Sequence, residues 1–388
     1  MRTLLFTGKG GVGKSTIAAG TAALAAERGL RTLVLSTDAA HSLADALQTP
    51  AGPEPTPVAE RLWVQQVDAQ LRFQQSWSVI QGYLLSVLDI AGVDPVAAEE
   101  LTVIPGAEEV LALLELRVQA RSGDYDLIVV DCAPTAETLR LLALPEALGW
   151  YMTRVLPVER RVVRALKPVL TRATGMPMPE NTVFDAIERL HQELDEVHDL
   201  LTGPDASVRL VLTPESVVLA EARRSHTTLS LYGYRVDGVV ANRVFPAGGD
   251  DPWLTGWVAA QTEILGQMAE SFAGLPVWTS PYRPSEPLGA AVLTEVAKEA
   301  YDDADPVAAP VGADPLRVTR TAGGSVLHLA LPNVTSAEVD LARNGDDLVM
   351  TVGAYRRLLT LPAGLARHQV VGARVDQGEL QVRFEERS

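Results

Sequence analysis

A glycine-rich loop near the N-terminus constrains the fold of this chain more than any other feature. A short apolar run, Leu4 to Phe6, leads into the octapeptide GKGGVGKS at residues 8–15, and an alanine-rich stretch follows from Thr16. The octapeptide satisfies the pattern G-x-x-x-x-G-K-[ST], in which backbone N–H groups wrap a phosphate and the glycines adopt φ values that side chains disfavour. The segment therefore predicts a strand, a phosphate-binding P-loop and a helix at the start of an α/β domain.

Each position of this loop has an expected role in holding a nucleoside triphosphate. Lys14 is expected to reach the β- and γ-phosphates and Ser15 to ligate Mg²⁺, while the N-terminus of the following helix adds its positive dipole. The second lysine, Lys9, is unusual because one phosphate cradle has no evident use for two lysines. The loop residues predicted to bind nucleotide are Gly8, Lys9, Gly10, Gly11, Val12, Gly13, Lys14, Ser15 and Thr16.

Composition narrows the set of partners. With 388 residues the chain is long enough for two domains, and its net charge of −16 argues against nucleic acid and against anionic lipid as partners. The single cysteine, Cys132, excludes an internal disulfide and a four-thiolate metal site within one chain. We expect no signal peptide and no transmembrane helix, and hence a soluble cytoplasmic protein.

Two acidic residues follow buried-type strands and are candidates for the ligand edge of the sheet. Asp38 comes after the strand pattern RTLVLS at residues 31–36, and Asp131 ends the pattern GDYDLIVVD at residues 123–131. In open α/β sheets ligands bind outside the carboxyl ends of the strands. Asp38 is expected to orient or deprotonate the attacking water or to hold Mg²⁺ through water, the alternative being a helix cap. Asp131 is expected to hold Mg²⁺ through water, and the loop after it to sense the γ-phosphate.

The rest of the first 301 residues alternates strands with helices and includes a helical subdomain at about residues 72–121 and 144–205. Residues 49–57 are expected to form a proline-rich loop and residues 89–106 an irregular stretch. The apolar stripe of residues 183–201 indicates either a helix packed on the core or one wall of a client groove. Asn242, at a strand end, is a candidate for reading an adenine edge, and Pro281 for packing on the base, although both also suit ordinary loop roles.

Composition changes sharply after residue 301. Residues 302–315 form an Asp/Ala/Pro-rich linker. Residues 316–388 contain seven short strand patterns separated by tight turns, which predicts a small antiparallel β-sandwich. The predicted fold is thus a P-loop α/β domain with a mostly parallel sheet and a helical subdomain, followed by an all-β sandwich.

Three motifs together resemble the arsenite-pump and tail-anchored-protein-targeting ATPase family, of the deviant Walker A class, over about residues 1–300. They are KGGVGKST, STDAAHSL and DCAPTAETLRLL. The resemblance implies that Lys9 reaches across a homodimer to the partner's nucleotide, that Asp38 activates water in switch I, and that Asn242 reads adenine. It also implies a Mg²⁺-linked switch II comprising Asp131, Ala133, Pro134, Thr135 and Arg140. Departures from the family pattern occur at Ala39, Cys132, Ala136 and Glu137.

The C-terminal sandwich resembles the α-crystallin domain of small heat-shock proteins. The resemblance rests on Leu361-Pro362 and on Ala373, Gly378, Leu380 and Val382, which follow the pattern A-x4-G-x-L-x-V. Such a domain after an ATPase of this family is a bacterial and plastid arrangement. The family's arsenite branch uses several cysteines and its eukaryotic branch a zinc-binding Cys-x-x-Cys pair, so one cysteine argues against metalloid transport and against a zinc clamp.

These features lead to three hypotheses. The first is a homodimeric ATPase switch, using ATP and Mg²⁺, that binds and releases a hydrophobic client segment in membrane-protein targeting or chaperone-like handling, with a membrane receptor as a further partner. The second is a holdase whose β-sandwich binds clients under control of the ATPase. The third is the energising subunit of an anion or metalloid pump, which the single cysteine disfavours.

Overall fold

The computed structural model describes residues 1–37, 42–67, 69–90, 92–102, 107–132, 181–248, 250–310, 314–321 and 323–386. Asp38, the loop from Ala133 to Arg140 and the predicted helical residues 144–180 lie outside these ranges, so their predicted roles remain predictions. No helix among the described residues combines the length and apolarity needed to cross a membrane.

An eight-stranded sheet forms the centre of the first domain, with strand order β3-β4-β2-β5-β1-β6-β7-β8. Every neighbouring pair is parallel except β3 and β4, which are antiparallel, so the predicted mostly parallel sheet is confirmed. The strands are β1 (Arg2–Thr7), β2 (Thr32–Ser36), β3 (Thr56–Ala59), β4 (Leu62–Gln66), β5 (Leu127–Asp131), β6 (Ala206–Leu212), β7 (Val236–Val244) and β8 (Val277–Pro281). Strands β2 and β5 are buried throughout because helices cover both faces of a parallel sheet.

Helices cover this sheet and extend from it. Among the described residues they are α1 (Lys14–Glu27), α2 (Ser42–Leu47), α3 (Ala69–Ile90), α4 (Pro95–Thr102), α5 (Ala107–Ser122), α6 (Asn181–Thr202), α7 (Ser216–Leu231), α8 (Pro252–Ser271) and α9 (Ala290–Tyr301). Helices α3, α5 and α6 pack on one another. Helix α1 is rich in small residues because α9 packs closely on it: a Cβ at Gly20 would lie 2.6 Å from the carbonyl oxygen of Leu293.

Two local predictions were wrong. The stretch 89–106 is not irregular throughout, because α4 lies within it. Pro95 occupies the first helical position, where its fixed φ favours a helix start, and the Asp94 carboxylate accepts from the N–H of Val96 at 3.0 Å. The proline-rich loop of residues 49–57 gives way to β3 at Thr56. That strand tolerates Pro57 because it lies at the edge of the sheet.

The C-terminal region forms the predicted antiparallel sandwich, and all seven predicted strands are present. One sheet has the order β14-β15-β10-β9 and the other β11-β12-β13. The strands are β9 (Leu316–Thr321), β10 (Gly324–Ala330), β11 (Val339–Asn344), β12 (Asp347–Val352), β13 (Tyr355–Thr360), β14 (His368–Asp376) and β15 (Glu379–Glu386), with a short helix α10 (Ala363–Ala366) between β13 and β14. Buried leucines, Met350, Val382 and Phe384 fill the space between the sheets.

The sandwich packs against helix α7 of the first domain. Leu231, the last residue of α7, is fully buried and belongs to the hydrophobic core of the sandwich. The Thr227 hydroxyl donates to the carbonyl of Pro332 at 2.7 Å, and the Arg357 guanidinium donates to the carbonyl of Leu231. The second domain is therefore held by the first domain's own secondary structure as well as by the linker.

Candidate nucleotide-binding site

The carboxyl ends of the parallel strands place the P-loop beside Asp131. Strand β5 lies between β1 and β2, and in register Asp131 is opposite both Phe6 and Ser36. The Asp131 side chain is fully buried, and its carbonyl accepts from the N–H of Thr37 at 3.0 Å. The candidate Mg²⁺-linked acid thus lies one strand away from the P-loop, at the edge of the sheet where the sequence predicted it.

The P-loop packs so tightly against neighbouring strands that two of its glycines have no room for a side chain. A Cβ at Gly8 would lie 2.0 Å from the carbonyl oxygen of Val211, at the end of β6. Gly13 has a φ of 90°, and a Cβ there would lie 2.3 Å from the Asn242 side-chain nitrogen on β7. At Gly10 and Gly11, no described residue other than the chain neighbours lies within 4 Å of such a Cβ. With respect to the part of the chain that the structure describes, the loop is thus packed on one side and open on the other, as a phosphate cradle requires.

Lys14 begins helix α1 and is only 7% exposed. Its ammonium donates to the backbone carbonyl of Lys9 at 3.4 Å, and it forms no ion pair with a carboxylate of the described residues. Burying a cation without a counter-ion is unfavourable, because the charge loses its hydration. A buried ammonium at a helix N-terminus beside an open glycine cradle fits an anionic ligand such as a triphosphate.

Ser15 contacts the start of helix α2. Its hydroxyl is 2.8 Å from the hydroxyl of Ser42, the first residue of α2, which follows the Asp38 segment directly. Ser42 is not among the predicted site residues, although it belongs to the STDAAHSL motif. One sequence signal could have identified Ser42: its hydroxyl lies four residues after Asp38, in a motif whose acid is expected beside Mg²⁺.

Lys9, the second lysine of the loop, has an exposed side chain near helix α7. Its side chain is 42% exposed, and its ammonium lies 4.0 Å from a carboxylate oxygen of Glu221, on helix α7. An ion pair this exposed contributes little to stability, about 0–1 kcal/mol. Lys9 is therefore accessible and weakly held, and its predicted contact with a second copy remains a prediction.

Cys132, the only cysteine, follows Asp131 and is 3% exposed. Burial, with the nearby Asp131 carboxylate, raises the pKa of its thiol far above the usual range. Because metals bind the thiolate, this cysteine is a poor ligand. Among the described residues, no three histidine, cysteine or acidic side chains cluster as a metal site would need.

Asn242 and Pro281 lie at the same edge, but in a different arrangement from the one predicted. Asn242 is 6% exposed, and its side-chain nitrogen donates to the carbonyl of Val12 in the P-loop at 2.8 Å. Pro281 is the last residue of β8, where it pairs with Val244, rather than a loop residue. Asn242 thus contacts the P-loop directly, and Pro281 ends the strand that pairs with β7, the strand of Asn242.

An aromatic cluster that the sequence analysis missed lies beside Pro281. The rings of Phe245 and Tyr282 stack with centroids 5.1 Å apart, and Trp253 and Trp257 lie 6.0 and 6.1 Å from Phe245. Trp253 and Tyr282 are 62% and 49% exposed. The two tryptophans are four residues apart on α8, a spacing that places them on one helical face.

Comparison with known proteins identifies the family to which this chain belongs. A sequence model described as anion-transporting ATPase matches residues 1–302, and one described as an HSP20-like domain found in ArsA matches residues 322–384. The chain belongs to the ArsA family of anion-transporting ATPases. It therefore combines an ATPase domain of that family with the HSP20-like domain that accompanies it, and the predicted family resemblance is confirmed.

Full-length relatives support the assignment to the ArsA family. A Chlorobaculum tepidum protein that carries the name arsenical pump-driving ATPase is 36% identical to this chain. The similarity covers 94% of this chain and 91% of the relative's own length. An uncharacterised protein of Streptomyces coelicolor is 39% identical over 99% of this chain and 97% of its own length. A protein of Trypanosoma cruzi named as a homologue of the ATPase ASNA1 is 28% identical over 76% of this chain and 90% of its own length.

Proposed function

We propose that this ArsA-family protein is a Mg²⁺-dependent, homodimeric ATPase switch of the cytoplasm that binds and releases a hydrophobic client segment. The observation that carries the ATPase part is Lys14, a buried cation with no carboxylate partner among the described residues, at the mouth of an open glycine cradle. A bound triphosphate would place negative charge beside the buried Lys14 ammonium. Binding would therefore remove the unfavourable energy of a buried cation without a counter-ion.

The residues present also fit a magnesium ion bound with the nucleotide. The Ser15 hydroxyl lies beside Ser42, and the fully buried Asp131 carboxylate lies at the same sheet edge, which gives hard oxygen ligands of the kind Mg²⁺ prefers. Bound Mg²⁺ would neutralise charge on the β- and γ-phosphates. Lys14 and the α1 N-terminus would orient the phosphates, and Asp38 would orient or deprotonate the attacking water.

The ATPase part is tested by isothermal titration of MgATP into the wild type and two lysine variants. Lys14→Ala is expected to abolish tight binding, because it removes the cation that the phosphates would neutralise. Lys298→Ala is the matched control, since Lys298 is a surface lysine on α9 paired with Glu27 and Glu295. Tight binding by Lys14→Ala would contradict the proposal, as would equal losses in the two variants.

The assignment of Asp38 is tested by turnover. Asp38→Asn is expected to bind MgATP with unchanged affinity and to release phosphate at a small fraction of the wild-type rate, because an amide does not act as a base. Unchanged phosphate release in this variant would remove Asp38 from the water-activating role.

The client part rests on the ATP-dependent closing of a dimer, in which an apolar surface between the helical subdomains would hold the client until hydrolysis. Asp38→Asn loaded with MgATP is the trap: crosslinking in the source cell's lysate, then mass spectrometry, identifies what it holds. Proteins with a single C-terminal apolar segment would support a targeting factor, and misfolded soluble proteins would support the alternative below. A membrane receptor, if present, would appear in the same trap.

A holdase role for the HSP20-like domain is the second candidate. A cavity of about 820 Å³ opens at one end of this sandwich, lined by residues that include Val318, Pro362 and Leu365. Removing residues 306–388 is a poor test, because it would uncover Leu231. Val318→Glu should abolish client capture only if the sandwich binds clients, and Val371→Glu, an exposed valine outside the cavity, is its control.

A pump-energising role, suggested by the names of some relatives, receives less support from this chain. It would need a metalloid site, and the one cysteine is buried with a thiol whose pKa is raised by burial. Absence of arsenite- or antimonite-stimulated phosphate release in the wild type would be consistent with this argument, and strong stimulation would contradict it.

A further inference from the structure

Asn242 reaches the P-loop from two strands away. Strand β6 lies between β1, which leads into the P-loop, and β7, which carries Asn242. In register Leu212, the last residue of β6, is opposite Ala241, so Asn242 lies just beyond the end of that strand. Its side chain can therefore cross the end of β6 to contact the loop.

The contact is a buried hydrogen bond to the peptide group that joins Val12 to Gly13. The Asn242 side-chain nitrogen donates to the Val12 carbonyl at 2.8 Å, and the two residues are 6% and 3% exposed. The same nitrogen occupies the space that a Cβ on Gly13 would need, at 2.3 Å. The amide and the loop are thus fitted to each other in both hydrogen bonding and shape.

This bond fixes the direction of a P-loop N–H group. In a trans peptide the C=O and N–H point to opposite sides of the chain. Holding the Val12 carbonyl toward Asn242 therefore turns the N–H of Gly13 to the opposite side of the loop, away from the packed strands. An N–H directed in advance needs no reorganisation when an anion arrives, which improves affinity.

The bond also fixes the orientation of the asparagine amide itself. A carbonyl accepts only from a donor, so the nitrogen must face Val12 and the side-chain oxygen must face elsewhere. That oxygen makes no hydrogen bond with any residue that the structure describes. It remains an acceptor suited to the exocyclic amine of adenine and unsuited to the carbonyl oxygen at the same position of guanine.

We propose that Asn242 is a positioning residue that holds the P-loop peptide Val12–Gly13 in its phosphate-binding orientation and links it to the base. The proposal deepens the nucleotide-binding function proposed above and rests on it. It differs from a role confined to the base, because it makes phosphate affinity depend on a residue two strands from the loop.

A ligand without a base separates the two roles. Magnesium tripolyphosphate and MgATP would each be titrated against the wild type, Asn242→Ala and Asn242→Leu, the second being close to asparagine in size but without polar atoms. Losing the donor leaves the buried Val12 carbonyl unpaired, so both variants are expected to bind both ligands about 10-fold more weakly or worse. Lys14→Ala provides the reference for complete loss of phosphate recognition.

Hydrogen exchange of the ligand-free variants gives a second measurement. The amides of residues 10–13 are expected to exchange faster in both Asn242 variants than in the wild type, while exchange in the β9–β15 sandwich stays unchanged. Wild-type exchange in the loop together with wild-type tripolyphosphate affinity would overturn the proposal. If the wild type itself bound neither ligand, the nucleotide-binding function would fail instead, so the two failures are distinguishable.

Discussion

Lowering the pH from about 7.5 to about 5 is expected to destabilise this protein through one half-buried histidine on α7, the helix against which the sandwich packs. His226 lies on α7, with its ring 5.5 Å from that of Phe272, and its Nδ1 is buried without a hydrogen-bond partner among the described residues. Burial lowers the pKa of His226 from 6.5 to about 4. In this pH range, His226 therefore binds a proton more weakly in the folded state than in the unfolded state.

The sign and the size of the pH effect on stability follow from the difference between the pKa of His226 in the folded and unfolded states. Between pH 6.5 and about 4 the unfolded chain binds more protons at this site, so stability falls as the pH drops through that window. At about pH 5 the two pKa values give a loss of about 2 kcal/mol, at 1.36 kcal/mol per pKa unit. Because His226 is half-buried rather than fully enclosed, solvent screens part of this effect, and we expect a measured loss of about 1–2 kcal/mol.

The assay is urea unfolding at both pH values, followed by circular dichroism and by tryptophan fluorescence, for the wild type and His226→Leu. Carboxylates titrate in the same range, but they do so in both proteins and cancel in the difference. The wild type should lose about 1–2 kcal/mol more than the variant. Equal losses would refute the argument, as would an NMR titration that places the pKa of His226 near its usual 6.5.

Three further predictions concern the dimer, the domain interface and the cysteine. Lys9→Ala should slow ATP turnover and prevent ATP-dependent dimerisation in the ultracentrifuge, and retention of both would exclude a role across the dimer. Leu231→Ala should lower the unfolding free energy by about 2–5 kcal/mol in denaturant melts, since this leucine is fully buried in the core of the sandwich. Cys132 should react with iodoacetamide far more slowly in the native protein than in urea, and fast native alkylation would contradict its burial and raised pKa.

Most of the fold could be predicted because its signals are local. The parallel strands are short apolar runs, and the seven strands of the sandwich are separated by tight turns, so period and turn chemistry identify them directly. The two wrong predictions, at residues 49–57 and 89–106, also have local causes. Helix α4 is short and begins at Pro95, a residue that also marks loops, and β3 contains Pro57, which only its edge position permits.

The candidate site could be predicted only in part. The P-loop residues and Asp131 follow from motif and strand position, because a phosphate cradle and a strand-end acid are encoded in contiguous sequence. The hydroxyl contact between Ser15 and Ser42 and the aromatic cluster were not predictable in this way. Each depends on how different helices, strands and loops pack against one another, which residue type and spacing do not specify.

The sequence by itself determined the two folds, the nucleotide loop and the acid beside it, since these depend on residue type and spacing within a few positions. Only the tertiary structure decided that Asn242 donates to the P-loop and that Leu231 completes the sandwich core. Asn242 and Val12 are 230 residues apart in the sequence, and Arg357, which donates to the Leu231 carbonyl, lies 126 residues after it. No local pattern encodes such a contact, because its geometry is set by the order of strands in the sheet and the docking of one hydrophobic core on another.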